Sequence, residues 1–69
     1  MKSELLIKLG KRIRELRKNK HFSIEELALE SDINKNYLGD LENGRRNPTI
    51  KMLEKIALGL EVNINELLK

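Results

Sequence analysis

The segment SIEELALESDINKNYLGDLENG, residues 23–44, decides how the chain folds. Ser23 and Glu26 stand three residues apart, the spacing at which a hydroxyl and a carboxylate cap each other's backbone N–H groups at a helix start. Ile24, Leu27 and Ala28 give that helix an apolar face, and it is expected to end near Ser31. A second helix is expected from Asn34, whose short amide side chain suits a helix start. Tyr37, Leu38 and Leu41 would form its buried face, and Gly44 falls where a left-handed closing residue is wanted. Only Asp32 and Ile33 separate the two helices, which forces a tight corner.

Outward from this corner the periodicity stays helical. Leu6, Leu9, Ile13 and Leu16 form one stripe of a helix over roughly residues 3–18, which Gly10 weakens slightly and Asn19, Lys20 and His21 end. A fourth helix begins at Pro48 or Thr49 and runs to about Leu58 or Gly59, with Ile50, Leu53, Ile56, Ala57 and Leu60 as its apolar face. A fifth opens at Asn63, with Glu66 three residues on as a second capping box and Leu67 and Leu68 at its end. The expectation is an all-α, compact five-helix bundle, a single domain over residues 1–69, without strand, repeat or linker.

Composition narrows the function. A chain of 69 residues buries a modest fraction of its surface and has little room for a cleft. Cysteine is absent, which removes disulfides and thiolate zinc sites, and neither a metal nor a cofactor is expected. His21 is the lone histidine, in an expected loop beside basic residues, with no phosphate-cradling glycine loop or paired carboxylates to make it catalytic, so an enzyme is not expected. The apolar start MKSELLIKLG is broken by Glu4 and Lys8, too early for a signal peptide or membrane span, and a cytoplasmic protein is expected. Net charge is +3, unevenly spread: residues 1–20 carry +6 (Lys2 among them) and the remainder −3. Such a basic segment suits a polyanion, nucleic acid or an anionic membrane surface, or is simply a solvated helix face. A helix with no aromatic anchor, whose stripe is used by the core, argues against the membrane.

Short helix, tight turn, short helix is the helix-turn-helix pattern, whose second helix usually lies in the DNA major groove. Around it stand Arg17 in ELR, the pairs Leu27-Ala28 and Tyr37-Leu38, Glu42-Asn43-Gly44, Asn47-Pro48 and the closing ELL. In these the chain, from about Leu9 to Leu68, resembles the Cro/phage-repressor (XRE-type) helix-turn-helix family, with a lambda-repressor-like DNA-binding domain. Within it, RRNPTIKMLEKIALGLEV is most similar to the small controller proteins of restriction–modification systems.

The resemblance implies roles residue by residue. Arg17 and Glu42 match a buried or half-buried ion pair tying the first helix to the end of the third, so Arg17 is expected to be structural rather than a DNA contact. Ala28 matches a small position where the second and third helices cross. Lys35, Asn36, Gly39 and Asp40 match the outward positions of the recognition helix. Asn36 can pair two-pronged with adenine, Lys35 can donate to guanine, and Asp40 can accept from cytosine N4 while repelling phosphate; Gly39 would allow close approach to the groove. Asn43, Arg45, Arg46 and Asn47, in the loop that follows, would lie along the DNA backbone, with Arg46 reaching a base edge. Exposed polar residues kept for solubility are the bland alternative for all of these. Ser23 and Asn34, at helix starts, are the remaining phosphate candidates. Two departures stand out: Ile24 replaces the family's phosphate-clamping Gln, and Asp32 replaces the usual turn Gly, though Asp tolerates a left-handed backbone.

Double-stranded DNA with a pseudo-palindromic operator, read by a homodimer, is therefore the expected partner. Met52, Ile56, Leu60, Val62 and Ile64 are the candidates for a self-complementary patch, or else enter the single core. Glu25 and Glu26 are acids that could face RNA polymerase, though the helix dipole explains them equally well. The competing function is a protein-interaction module of the same fold, an antitoxin or anti-repressor.

Overall fold

A computed structural model describes residues 3–69; Lys2, counted in the basic segment, lies outside the described residues. Four α-helices follow one another: α1 (Glu4–Asn19), α2 (Ile24–Ser31), α3 (Lys35–Glu42) and α4 (Ile50–Leu60). The expected fifth helix is instead a 3-10 helix, Ile64–Leu68. Its five residues leave almost no length for i→i+4 bonding, and Glu66 N–H donates to Asn63 O at 2.9 Å, three residues back. The second capping box does not close either. Asn63 Oδ1 accepts from Asn65 N–H at 2.9 Å, but the Glu66 carboxylate turns away to Arg12 (3.2 Å) and Lys69 (2.9 Å).

Local chemistry sets the helix starts. Ser3, Ser23, Asn34 and Thr49 each accept a backbone N–H from the first turn, and at α2 the box is reciprocal: Glu26 N–H donates to Ser23 Oγ (3.0 Å) and Ser23 N–H to Glu26 Oε1 (2.8 Å). All four α-helices close with one device, in which the two residues past the end donate back to the last turn. Its left-handed residue is His21, Asp32, Gly44 and Glu61 in turn, so glycine fills that position only once.

Every element contributes to one core. Ile13, Leu27, Leu38, Leu41, Ile56, Leu60 and Leu67 are almost completely buried, each worth about 1.5–3 kcal/mol by removal of apolar surface from water. Ile50 departs from expectation: as the first residue of α4 it lies beyond the reach of this core and is 65% exposed.

Gly10 is the point at which α1 meets α3. A Cβ there would sit 2.6 Å from Glu42 O and closer still to Leu41 O, so only glycine lets α1 approach the carbonyl end of α3 this closely. The same face carries Ile13 and Arg17 at helical spacing, and these three are the buried residues of α1. Arg17 Nε and Nη2 reach the Glu42 carboxylate at 2.7 and 3.0 Å, and Nη1 donates to Phe22 O at 2.8 Å. Both charges are more than nine-tenths buried and satisfied by geometry, so α1 fixes where α3 ends and where the following loop begins.

Candidate nucleic-acid interface

The Asp32 turn sets α3 on the protein's surface with one side against the core and the other free. Leu38 and Leu41 point inward; Lys35 and Asn36 are exposed at the helix start, with Gly39 and Asp40 half-buried a turn later. With Ile24 and Glu25 of α2 and Asn43 at the helix end, these four line one shallow hollow. The structure thus brings together the residues expected to face base edges, apart from Arg46, which approaches the same region from the loop.

Gly39 has open space where its side chain would be: a Cβ would meet only Ile24 Cδ1, at 4.0 Å. Nothing inside the molecule demands glycine there, unlike at Gly10. Ile24, where a glutamine clamp was missed, forms an apolar wall of the hollow and is partly packed on the core.

The candidate phosphate contacts divide by what they already hold. Ser23 Oγ and Asn34 Oδ1 are occupied as helix caps, the latter by Asn36 and Tyr37 N–H at 2.7 and 3.1 Å, which leaves the hydroxyl proton and the Asn34 Nδ2 to donate outward. Asn43 Nδ2 donates to Gly39 O at 2.9 Å. Asn47 is exposed but lies round the corner, lining an apolar cavity of about 230 Å³ with Leu5, Leu6, Pro48, Leu53 and Leu67. Arg45 and Arg46 are exposed, and their nearest anion is internal: Arg45 Nη1 is 3.7 Å from Asp40 Oδ1 and Arg46 Nε is 3.6 Å from Asp40 Oδ2. Lys35 Nζ lies 4.0 Å from Glu25.

Sequence reasoning missed Tyr37. It was expected to be buried, but successive residues on a helix point about 100° apart, and Leu38 takes the core position. Tyr37 is half-buried, with the Arg46 guanidinium 5.3 Å from its ring centroid. The adjacency of Tyr37 to Leu38 was the available signal. The basic N-terminal segment, in contrast, spends part of its charge internally. Arg12 pairs with Glu15 and Glu66, Arg17 with Glu42, and Lys20 with Glu61 at 2.6 Å. The hydrogen bond from Lys20 lowers the Glu61 pKa, and that from Lys69, followed by weaker help from Arg12, lowers the Glu66 pKa.

The C-terminal patch is corrected in part. Ile56 and Leu60 are buried inside the monomer and cannot meet a second copy, because both fall on the α4 face that packs into the core. Met52, Val62 and Ile64 are half-buried against the core edge, and Leu58, 79% exposed, joins Val62 and Ile64 around a shallow apolar depression.

This small helical scaffold is shared with known proteins. The HTH_3 family model, described as helix-turn-helix, matches residues 13–67, and the chain belongs to this family. Among its relatives, the control protein C.MunI of Mycoplasma sp is 36% identical over 66 residues, covering 94% of this chain and 89% of that protein. The transcriptional regulator SlrR of Bacillus subtilis is 43% identical over 60 residues, 86% of this chain but only 40% of its own length. The crystal structure of the restriction–modification controller protein C.AhdI from Aeromonas hydrophila superposes with a TM-score of 0.89 at 40% identity, covering 90% of this chain and 94% of that one. Among the described residues no helix is long and apolar enough to cross a membrane.

Proposed function

We infer that this chain is a sequence-specific DNA-binding regulator of transcription, of the restriction–modification controller type, that binds a pseudo-palindromic operator as a homodimer. The observation that carries the reading is the hollow along α3, with Lys35 and Asn36 at the helix start and, beside Asp40 towards the helix end, the loop cations Arg45 and Arg46. A recognition helix needs that arrangement: polar side chains that can reach base edges, followed by cations for the backbone. Lys35, Asn36, Asp40 and Arg46 are proposed to meet bases, with Gly39 allowing the close approach. Ser23, Asn34, Asn43, Arg45 and Asn47 are proposed to meet phosphates.

Dimerisation is proposed through the C-terminal face, now centred on Leu58, Val62 and Ile64 with Met52 beside them, rather than on the buried Ile56 and Leu60. The chain is proposed to act in the cytoplasm as one domain, residues 1–69, without catalysis or cofactor. A contact to RNA polymerase through Glu25 and Glu26 stays a proposal with little left to support it, since Glu26 caps α2 and Glu25 lies against Lys35.

Selection of bound duplexes from a random library near physiological salt tests the reading. The expected product is a pseudo-palindrome with half-sites about 10 base pairs apart, at which Lys35→Ala and Asn36→Ala each relax one position. Weak, salt-sensitive binding with no enriched sequence refutes operator reading and favours the interaction module. Sedimentation at about 50 μM should give twice the 8.0 kDa monomer mass; a monomer there refutes the dimer.

A further inference from the structure

Asp40 is the one acid of the α3 hollow that faces both loop arginines. Its two carboxylate oxygens are divided between them, one 3.7 Å from Arg45 Nη1 and the other 3.6 Å from Arg46 Nε. Arg46 at the same time lies over the Tyr37 ring, and Tyr37 and Asp40 are three residues apart on one face of α3. A carboxylate placed between two guanidiniums presents them with the kind of negative charge that a DNA phosphate carries.

We propose that Asp40 is a specificity-determining residue that acts as an internal substitute for phosphate, holding Arg46 on Tyr37 and withholding both arginines from non-cognate DNA. The proposal rests on the DNA-binding reading above. Non-specific binding consists almost wholly of phosphate contacts. A phosphate that captures Arg45 and Arg46 must displace the Asp40 carboxylate and leave it unpaired beside a polyanion. At a cognate site Arg46 is directed to a base edge and Asp40 can accept from a cytosine amine, so the displaced charge regains a partner. The carboxylate therefore penalises wrong DNA more than right DNA, a repulsive element of the kind on which discrimination depends.

The fold does not depend on this side chain. The two ion pairs are solvent-exposed and long, and so contribute little to stability. The contact that closes α3 uses the Asp40 backbone carbonyl, which accepts from Arg45 N–H at 2.9 Å and is unchanged by substitution. Asp40→Asn keeps shape and removes charge.

The test measures the affinity of the full chain and of Asp40→Asn for the selected duplex and for a scrambled duplex of equal length, between about 0.1 and 0.4 M salt. Each arginine freed to a phosphate steepens the salt dependence by about 0.9 in log–log slope, about 8-fold at 0.1 M relative to 1 M, and the two together give about 60-fold. The scrambled duplex should therefore bind Asp40→Asn at least about 8-fold more tightly, while the selected duplex, on which Asp40 is itself engaged with a base, tightens less, so that the ratio of selected to scrambled affinity falls. Intrinsic fluorescence from Tyr37, in a chain with one tyrosine and no tryptophan, should change as Arg46 is released. In an Arg45→Ala/Arg46→Ala background the Asp40→Asn effect should vanish. Equal tightening on both duplexes, or an undiminished effect in that background, would mean simple charge repulsion and overturns the proposal alone. A parent chain that binds neither duplex, or selects no sequence, overturns the DNA reading with it.

Discussion

Gly10→Ala and Gly39→Ala are the same substitution in the middle of two helices, and they should have opposite signs. Helix propensity alone favours alanine at both by about 1 kcal/mol. At Gly39 the new methyl meets only Ile24 Cδ1, at 4.0 Å, an ordinary contact, so the full gain of about 1 kcal/mol should appear. At Gly10 the methyl would fall 2.6 Å from Glu42 O and 2.8 Å from Glu42 C, both backbone atoms that no rotamer change can move. Optimal separation is about 3.5 Å or more, so α1 must retreat from α3 by most of an ångström. Ile13 and Arg17 share that face and would retreat with it, loosening the core and stretching the 2.7 Å contact to Glu42. Overpacking typically costs about 1–3 kcal/mol, and here the upper end applies because two buried groups move together; after the propensity gain the net loss is about 2 kcal/mol. Urea unfolding followed by far-UV circular dichroism, at fixed protein concentration because self-association would shift the midpoint, reads this directly. With a slope near 1 kcal/mol/M for so small a protein, Gly10→Ala should lower the midpoint by about 2 M and Gly39→Ala raise it by about 1 M. A Gly10→Ala protein as stable as the parent would refute the close approach of α1 to α3. Gly39→Ala should in addition weaken operator binding, because the vacancy is on the side of α3 proposed above to face DNA.

Three further outcomes are expected. Arg17→Ala should destabilise by about 3–5 kcal/mol in the same assay, since it leaves the Glu42 carboxylate buried without its partner; a loss under about 1 kcal/mol would mean the pair is open to water. Asp32→Gly should stabilise by about 1 kcal/mol by relieving a left-handed φ of 55° at an exposed residue, and unchanged stability would show that Asp bears that conformation at no cost. Glu61 and Glu66 have depressed pKa values in the folded state, so their contribution is present above the ordinary value of 4.5 and is lost as pH falls through the lower, folded value. Stability should thus hold from neutral pH to about 5 and decline below 4.5, with a shallower decline in Glu66→Gln; identical acid profiles for the two proteins would exclude that carboxylate as a source.

Much of this protein was determined within short windows of sequence. The caps at Ser23 and Asn34, the apolar stripes and the Asp32–Ile33 corner follow from backbone hydrogen-bonding needs and the 3.6-residue repeat, which involve residues only a few positions apart; the outward residues of α3 came from the family resemblance. A run of family motifs added the Arg17–Glu42 match, which no local rule supplies. Only the tertiary structure decided which surface each stripe meets. An apolar residue on α4 reads the same whether it faces its own core or a second copy, so Ile56 and Leu60 looked like an interface and Ile50 like core. Gly10 read as a weakness of α1 because propensity ignores the carbonyls of α3, 31 and 32 residues away in sequence at Leu41 and Glu42. Glu66 read as a cap until Arg12, 54 residues distant, claimed its carboxylate. Asp40 read as a base contact, and its placement between Arg45 and Arg46 came from the reversal of the chain at Gly44. Charge and close packing act through space, and the chain has to be folded before their partners are set.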